Sequence, residues 1–92
     1  MKHELKTDPE VYDDVKNGYK TFEIRMDNRD YKVDDTLILQ KTKHTGKQMA
    51  NGAPLVYTGD KISLLVIYIL KGPIYGLEKG WVIMSIKRII NN

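Results

Sequence analysis

The sequence predicts a small α+β domain, mostly β, of five to six strands with one N-terminal helix: a strand, the helix, then four or five strands that curl into a barrel. Three observations carry that prediction. A single early segment has helical spacing. Every later apolar segment has the alternation or the β-branched content of a strand. Glycine, proline and Asp/Asn pairs separate these segments at short intervals. The chain has 92 residues, enough for one domain, 1–92, and too few for a second core. Many short strands in so small a domain have unpaired edges to hide, and curling the sheet toward closure hides them.

The elements follow in order. His3–Leu5 reads as a short first strand. Thr7 or Asp8 is then placed to cap a helix, Pro9 suits its first turn, and Glu10 favours the positive end of the helix dipole. Val11, Tyr12 and Val15 share one apolar face, opposite Asp13, Asp14 and Lys16. Asn17-Gly18 ends this helix, Pro9–Asn17, with Gly18 suited to a left-handed position. From Thr21 to Arg25 the period becomes two, with Phe22 and Ile24 on one face and Thr21, Glu23 and Arg25 on the other.

Met26–Asp35 is polar, with Asp27-Asn28 and Asp34-Asp35 as turn chemistry. Thr36–Thr42 is the next strand. His44–Pro54, with Gly46, Asn51-Gly52 and Pro54, reads as a long loop. Tyr57–Asp60 is a turn or strand start. Lys61–Leu70 is a strand apolar on both faces and therefore expected to be covered on each side. Lys71–Gly80 is a glycine-rich loop, Trp81–Arg88 a closing strand, and Asn91-Asn92 a frayed end.

Composition excludes several classes of function. There are no cysteines, hence no disulfides and no thiolate metal ligands. The longest apolar run, Ile62–Leu70, falls well short of the ~20 residues of a membrane-spanning helix, and the first residues do not resemble a signal peptide. A cytoplasmic location and no membrane partner are the expectation. His3 and His44 are too few and too isolated for a metal site, and no phosphate loop or nucleophile elbow occurs, so no metal or cofactor is expected. The net charge of +3 suits a polyanionic partner. Its distribution is more informative: Lys41, Lys43, His44 and Lys47 form a run without acids, whereas Lys20, Arg25 and Arg29 are interleaved with Glu23, Asp27 and Asp30.

Gly18-Tyr19-Lys20-Thr21-Phe22-Glu23-Ile24-Arg25 is similar to the G-x-K-x-x-E-x-R signature of ASCH domains. It is closer still to a small ASCH-like family of unknown function found in phage and bacterial genomes. The match extends through His3–Lys6, Asp27–Tyr31, Val33–Asp35, Tyr57–Gly59 and Gly76–Ile86, leaving out the Lys43–Pro54 loop. The resemblance implies a PUA-like β-barrel, a cleft beside the helix and the signature strand, and RNA or nucleotide binding. Family members usually carry Gly-Asp where this chain has Asp34-Asp35, and aspartate tolerates left-handed backbone better than most residues.

The residues themselves admit two readings. Glu23 and Arg25 project to one side of a strand, either as a surface ion pair of little energetic consequence or as a site in which Glu23 orients Arg25 toward a phosphate or base edge. Lys20 is either a solvated lysine or a point charge for phosphate. Arg29 is a second phosphate candidate, with Asp30 holding it. Tyr19, Tyr31, Tyr57 and Tyr75 lie in or beside loops, where an exposed ring can stack on a base, while Phe22, Tyr68 and Trp81 sit in core-like patterns. Lys41 and Lys43 form an electrostatic patch for a polyanion.

A binding module is preferred over an enzyme. Some ASCH proteins resemble amidohydrolases of acetylcytidine, and Lys20 matches their lysine. Glu23, however, stands in place of their threonine, and Glu78 is the only late glutamate. A third reading, a phage-type protein-interaction factor, rests on the Lys43–Pro54 loop.

Overall fold

In the computed structural model, which describes residues 1–89, the chain runs β1 (Lys2–Thr7), α1 (Pro9–Lys16), β2 (Phe22–Met26), β3 (Thr36–Thr42), α2 (Gly46–Ala50), β4 (Tyr57–Lys71) and β5 (Trp81–Arg88). The expectation for Asn91-Asn92 falls outside these residues. The strands form one sheet of order β1-β3-β4-β5-β2. Only β1 and β3 are parallel; the other neighbours are antiparallel. A parallel pair needs a crossover, and here the crossover carries α1 and β2, leaving β2 on the opposite edge of the sheet from β1.

The sheet is strongly curled, a half-barrel of five strands. Laid flat, its two edges would stand ~19 Å apart, four strand spacings of ~4.8 Å. Instead the Arg25 side chain on β2 reaches the Lys6 carbonyl on β1 at 3.2 Å. Inside the curl, alternate residues of the strands pack with one face of α1: Leu5, Leu37, Leu39, Leu64, Val66, Val82 and Met84 are buried against Tyr12 and Val15. Among the described residues no helix is long and apolar enough to cross a membrane.

Most elements lie where the sequence places them. α1 ends one residue before the predicted limit, with Asn17 as its cap, and Gly18 takes φ +80°. Asp34, at the position where glycine was expected from the resemblance, adopts φ 77°. Three expectations need correction. The His44–Pro54 segment is not all loop, because Gly46–Ala50 forms α2, started by a capping box in which Thr45 and Gln48 bond each other's backbone. Lys61–Leu70 is not covered on both faces: Ile67 and Tyr68 are exposed where the register with β5 shifts between Val66 and Tyr68. Finally, Phe22 and Tyr68 are not core residues but 44% and 60% exposed, and Trp81 is only half-buried.

Under the start of β3 lies a buried polar cluster. The His3 ring nitrogen Nε2 and Asp35 Oδ2 are 2.8 Å apart, and the His3 ring meets the Tyr31 ring edge-on at 4.8 Å. Asp35 also accepts from the Lys32 amide and from the amino group of Met1. Burial on its own would raise the Asp35 carboxyl, but the hydrogen bonds from His3, the Lys32 amide and the Met1 amino group outweigh it and hold the value at about 2. A carboxyl depressed on folding stabilises fully above its unfolded value and loses that contribution as pH falls toward the folded one. Urea titrations should therefore show about 2 kcal/mol lost between pH 4 and pH 2, and Asp35→Asn should flatten that part of the profile while lowering stability at pH 7.

Candidate functional site

The local sequence turns β2 inside out. Glu23 and Arg25 face the interior of the curl, while Phe22, Ile24 and Met26 face solvent. On an ordinary half-buried strand the apolar set points inward. Here the inward set is charged, and Glu23 is only 3% exposed. A buried carboxylate requires partners, and two cations supply them. Lys20 Nζ donates to Glu23 Oε1 at 2.7 Å and Arg25 Nε donates to Oε2 at 3.1 Å. The surface-pair reading therefore fails: this is an interior carboxylate held between two partly exposed cations.

Chain geometry fixes both cations. The amides of Tyr19 and Lys20 both donate to the Asp14 carbonyl, so the exit from α1 sets the direction of Lys20. Its ammonium also donates to the Phe22 carbonyl at 2.6 Å and lies 4.8 Å from the centre of the Phe22 ring. Arg25 Nη2 donates to the Lys6 carbonyl, tying the two edges of the sheet together. The side chains thus bridge a seam that backbone pairing leaves open.

A cavity of about 380 Å³ occupies this seam, lined by Lys6, Thr7, Asp8, Val11, Lys20, Glu23, Ile24, Arg25, Met26 and Trp81. Its volume is in the range of small-molecule sites. Ile24 belongs to the lining although its side chain faces outward. The Thr21 carbonyl accepts from Ile86 of β5, so by antiparallel alternation the amide and carbonyl of Ile24 point away from β5, to the open edge. Asp8 does not cap α1 with its side chain. Its carboxylate instead accepts from the Gly46 amide at 2.9 Å, fastening α2 beside the cavity.

The chemistry on offer can be counted. A guanidinium has five N–H donors and an ammonium three. Arg25 spends two and Lys20 two, leaving three and one. Glu23, Asp8 and the Ile24 carbonyl add acceptors, and Trp81 and Val11 add apolar wall. The lining carries three cations, Lys6, Lys20 and Arg25, against the two carboxylates of Asp8 and Glu23, so its charge balance is positive beside the aromatic surface of Trp81.

Of the residues predicted from sequence, Lys20, Glu23 and Arg25 converge on this cavity and the others do not line it. Arg29 is exposed, and Asp30, at φ 54°, pairs with Lys32 at 3.5 Å rather than with Arg29. Tyr19 is 82% exposed beside the helix end. Tyr31 cannot stack on a ligand: it is 2% exposed, its ring packed in the core against His3. Lys41 is engaged by Asp13 at 3.0 Å, a hydrogen bond that raises its ammonium above the usual lysine value, and Lys43 is exposed on the loop before α2. Lys6, Asp8 and Trp81 went unassigned as site residues, since the sequence gives no sign that β1 and β2 meet across a seam.

A family model described as a domain of unknown function (DUF3850) matches residues 2–86. The chain belongs to the DUF3850 family. The matched span includes all five strands almost to the end of β5, and with them every residue lining the seam. No curated protein matches the chain. Within this DUF3850 chain, Arg25 is the side chain on which the seam geometry depends. Arg25→Ala should lower the unfolding free energy by about 2 kcal/mol, because it removes a charge-assisted bond to a buried carboxylate. Arg25→Lys should recover less than half of that, since one ammonium cannot reproduce the guanidinium fork. Urea denaturation measures both.

Proposed function

We propose that the seam between β1 and β2 is a binding site for RNA or a nucleotide on a PUA-like, ASCH-type half-barrel, and that the protein works as a binding module. The observation that carries this reading is the buried Glu23 carboxylate, which aims Lys20 and Arg25 into one cavity with donors to spare. A structural ion pair needs no cavity and no unspent donors. A phosphate needs both, and a base edge can take the remaining acceptors of Glu23 and the free amide and carbonyl of Ile24.

Binding is favoured over amidohydrolase chemistry. Glu23, rather than a hydroxyl, faces Lys20; Thr21 is exposed; and Glu78 is exposed outside the cavity lining. The protein-factor reading rests on the Lys43–Pro54 segment, of which Gly46–Ala50 folds into α2 and is fastened to Asp8, and no residue of that segment lines the cavity.

The test is titration of a labelled single-stranded RNA and of mononucleotides at low and moderate salt. Each phosphate neutralised should contribute about −0.7 to the slope of log affinity against log salt. Lys20→Gln should weaken binding by about tenfold and reduce that slope by about 0.7, with the fold intact by circular dichroism. Absence of binding at low salt, or affinity indifferent to Lys20, would overturn the reading.

A further inference from the structure

Tyr75 holds a backbone conformation that costs energy and that no packing inside the domain offsets. Its φ is 47°, followed by Gly76 at φ 86°. Ile74 and Leu77 exchange both backbone hydrogen bonds, at 3.1 and 2.7 Å. These are the features of a two-residue hairpin turn of type I′, which favours Asn, Asp or Gly at its first central position. A bulky residue with positive φ is an outlier. The ring is also 93% exposed, so its strain is not balanced by burial.

The element that carries Tyr75 is firmly held. The Gly72 amide donates to the Trp81 carbonyl at 2.9 Å, and the Trp81 amide donates to the Glu78 carbonyl at 3.1 Å. A β-carbon on Gly72 would run into the Glu78 carbonyl, so the two arms of the segment are in direct backbone contact. The Asp27 amide, just after β2, donates to the Gly80 carbonyl at 2.8 Å. The hairpin is therefore anchored on Trp81, a wall of the seam cavity, and on the end of the strand that carries Glu23 and Arg25. Lys71 and Lys79 flank it, both exposed.

We propose that Tyr75 is a stacking platform for the base next to the one bound in the seam, which makes the ligand a single-stranded oligonucleotide rather than a mononucleotide alone. This rests on the reading of the seam as a nucleic-acid site. A lone ring on a tight turn between two lysines fits a base and its phosphates, since every base has a π-face and one ring suffices to hold it. A protein partner would instead require an anchor ringed by contacts that exclude water. Ile74 and Leu77, the large apolar residues nearest the ring in the turn, are half-buried and engaged in the hairpin itself.

The experiment compares wild type, Tyr75→Gly, Tyr75→Phe and Lys20→Gln against a fluorescein-labelled single-stranded RNA hexamer of mixed sequence and against uridine monophosphate. Tyr75→Gly should weaken hexamer binding by about 5- to 150-fold, leave monophosphate binding unchanged, and keep the thermal midpoint at or above that of wild type. Tyr75→Phe should retain hexamer affinity. If Lys20→Gln weakens the hexamer and Tyr75→Gly does not, the stacking proposal is overturned while the seam reading stands. If wild type binds neither ligand, both fall. Equal losses on hexamer and monophosphate in Tyr75→Gly would also overturn the proposal, because they would mean damage to the cavity and not the loss of a second contact.

Discussion

A carboxylate buried on the wrong face of an edge strand governs this domain. Glu23 takes a position that a valine or leucine would ordinarily occupy, and its desolvation would be severe without compensation. Lys20 and Arg25 provide that compensation, and they arrive from fixed directions: one from the exit of α1, the other from the same face of β2. Because Arg25 also binds the Lys6 carbonyl, the solution that keeps Glu23 paired also holds the two sheet edges together. The side-chain bridge across the seam and the electrostatics of its cavity thus both follow from one interior charge.

How far the sequence reveals the fold depends on whether the governing forces are local. Strands β3 and β5 are legible to the residue, since their β-branched and apolar runs begin directly after turn residues, Asp34-Asp35 and Gly80. α1 is legible for the same reason: Pro9, Glu10 and Gly18 signal its ends as clearly as Tyr12 and Val15 signal its face. α2 has a local signal too, because Thr45-Gly46-Lys47-Gln48 has the spacing of a capping box, masked by the turn residues Asn51-Gly52 and Pro54 around it. The exposure of Ile67 and Tyr68 was not legible. It follows from a register shift against β5, and a bulge depends on the partner strand as much as on its own.

The site was legible in part, and for a specific reason. Lys20, Glu23 and Arg25 are close in sequence, so strand alternation alone places Glu23 and Arg25 on one side. What alternation cannot say is which side faces the interior. An apolar Phe22, Ile24 and Met26 set argues for one answer, and the structure has the other. Lys6, Asp8 and Trp81 come from elements distant in the chain and meet only because the sheet curls. Tyr31 shows the converse difficulty: it lies in a polar segment that reads as loop, yet its ring packs against His3 in the core.

An edge strand with three outward apolar residues ought to invite pairing with another chain. The bonds made along the open edge of β2 explain how that is restrained. Lys20 occupies the Phe22 carbonyl and the Asn28 amide occupies the Met26 carbonyl. What is left of that edge is the amides of Phe22 and Met26 and, beside the cavity, both backbone groups of Ile24. A strand from another molecule would have to displace a lysine that is already paired with a buried carboxylate, which again leaves Glu23 short of a partner. A phosphate or a base edge faces no such obstacle, because it can take the unspent donors of Lys20 and Arg25 without breaking their bonds to Glu23. The arrangement that discourages strand addition therefore leaves the seam open to a small anionic ligand, with its cations already oriented.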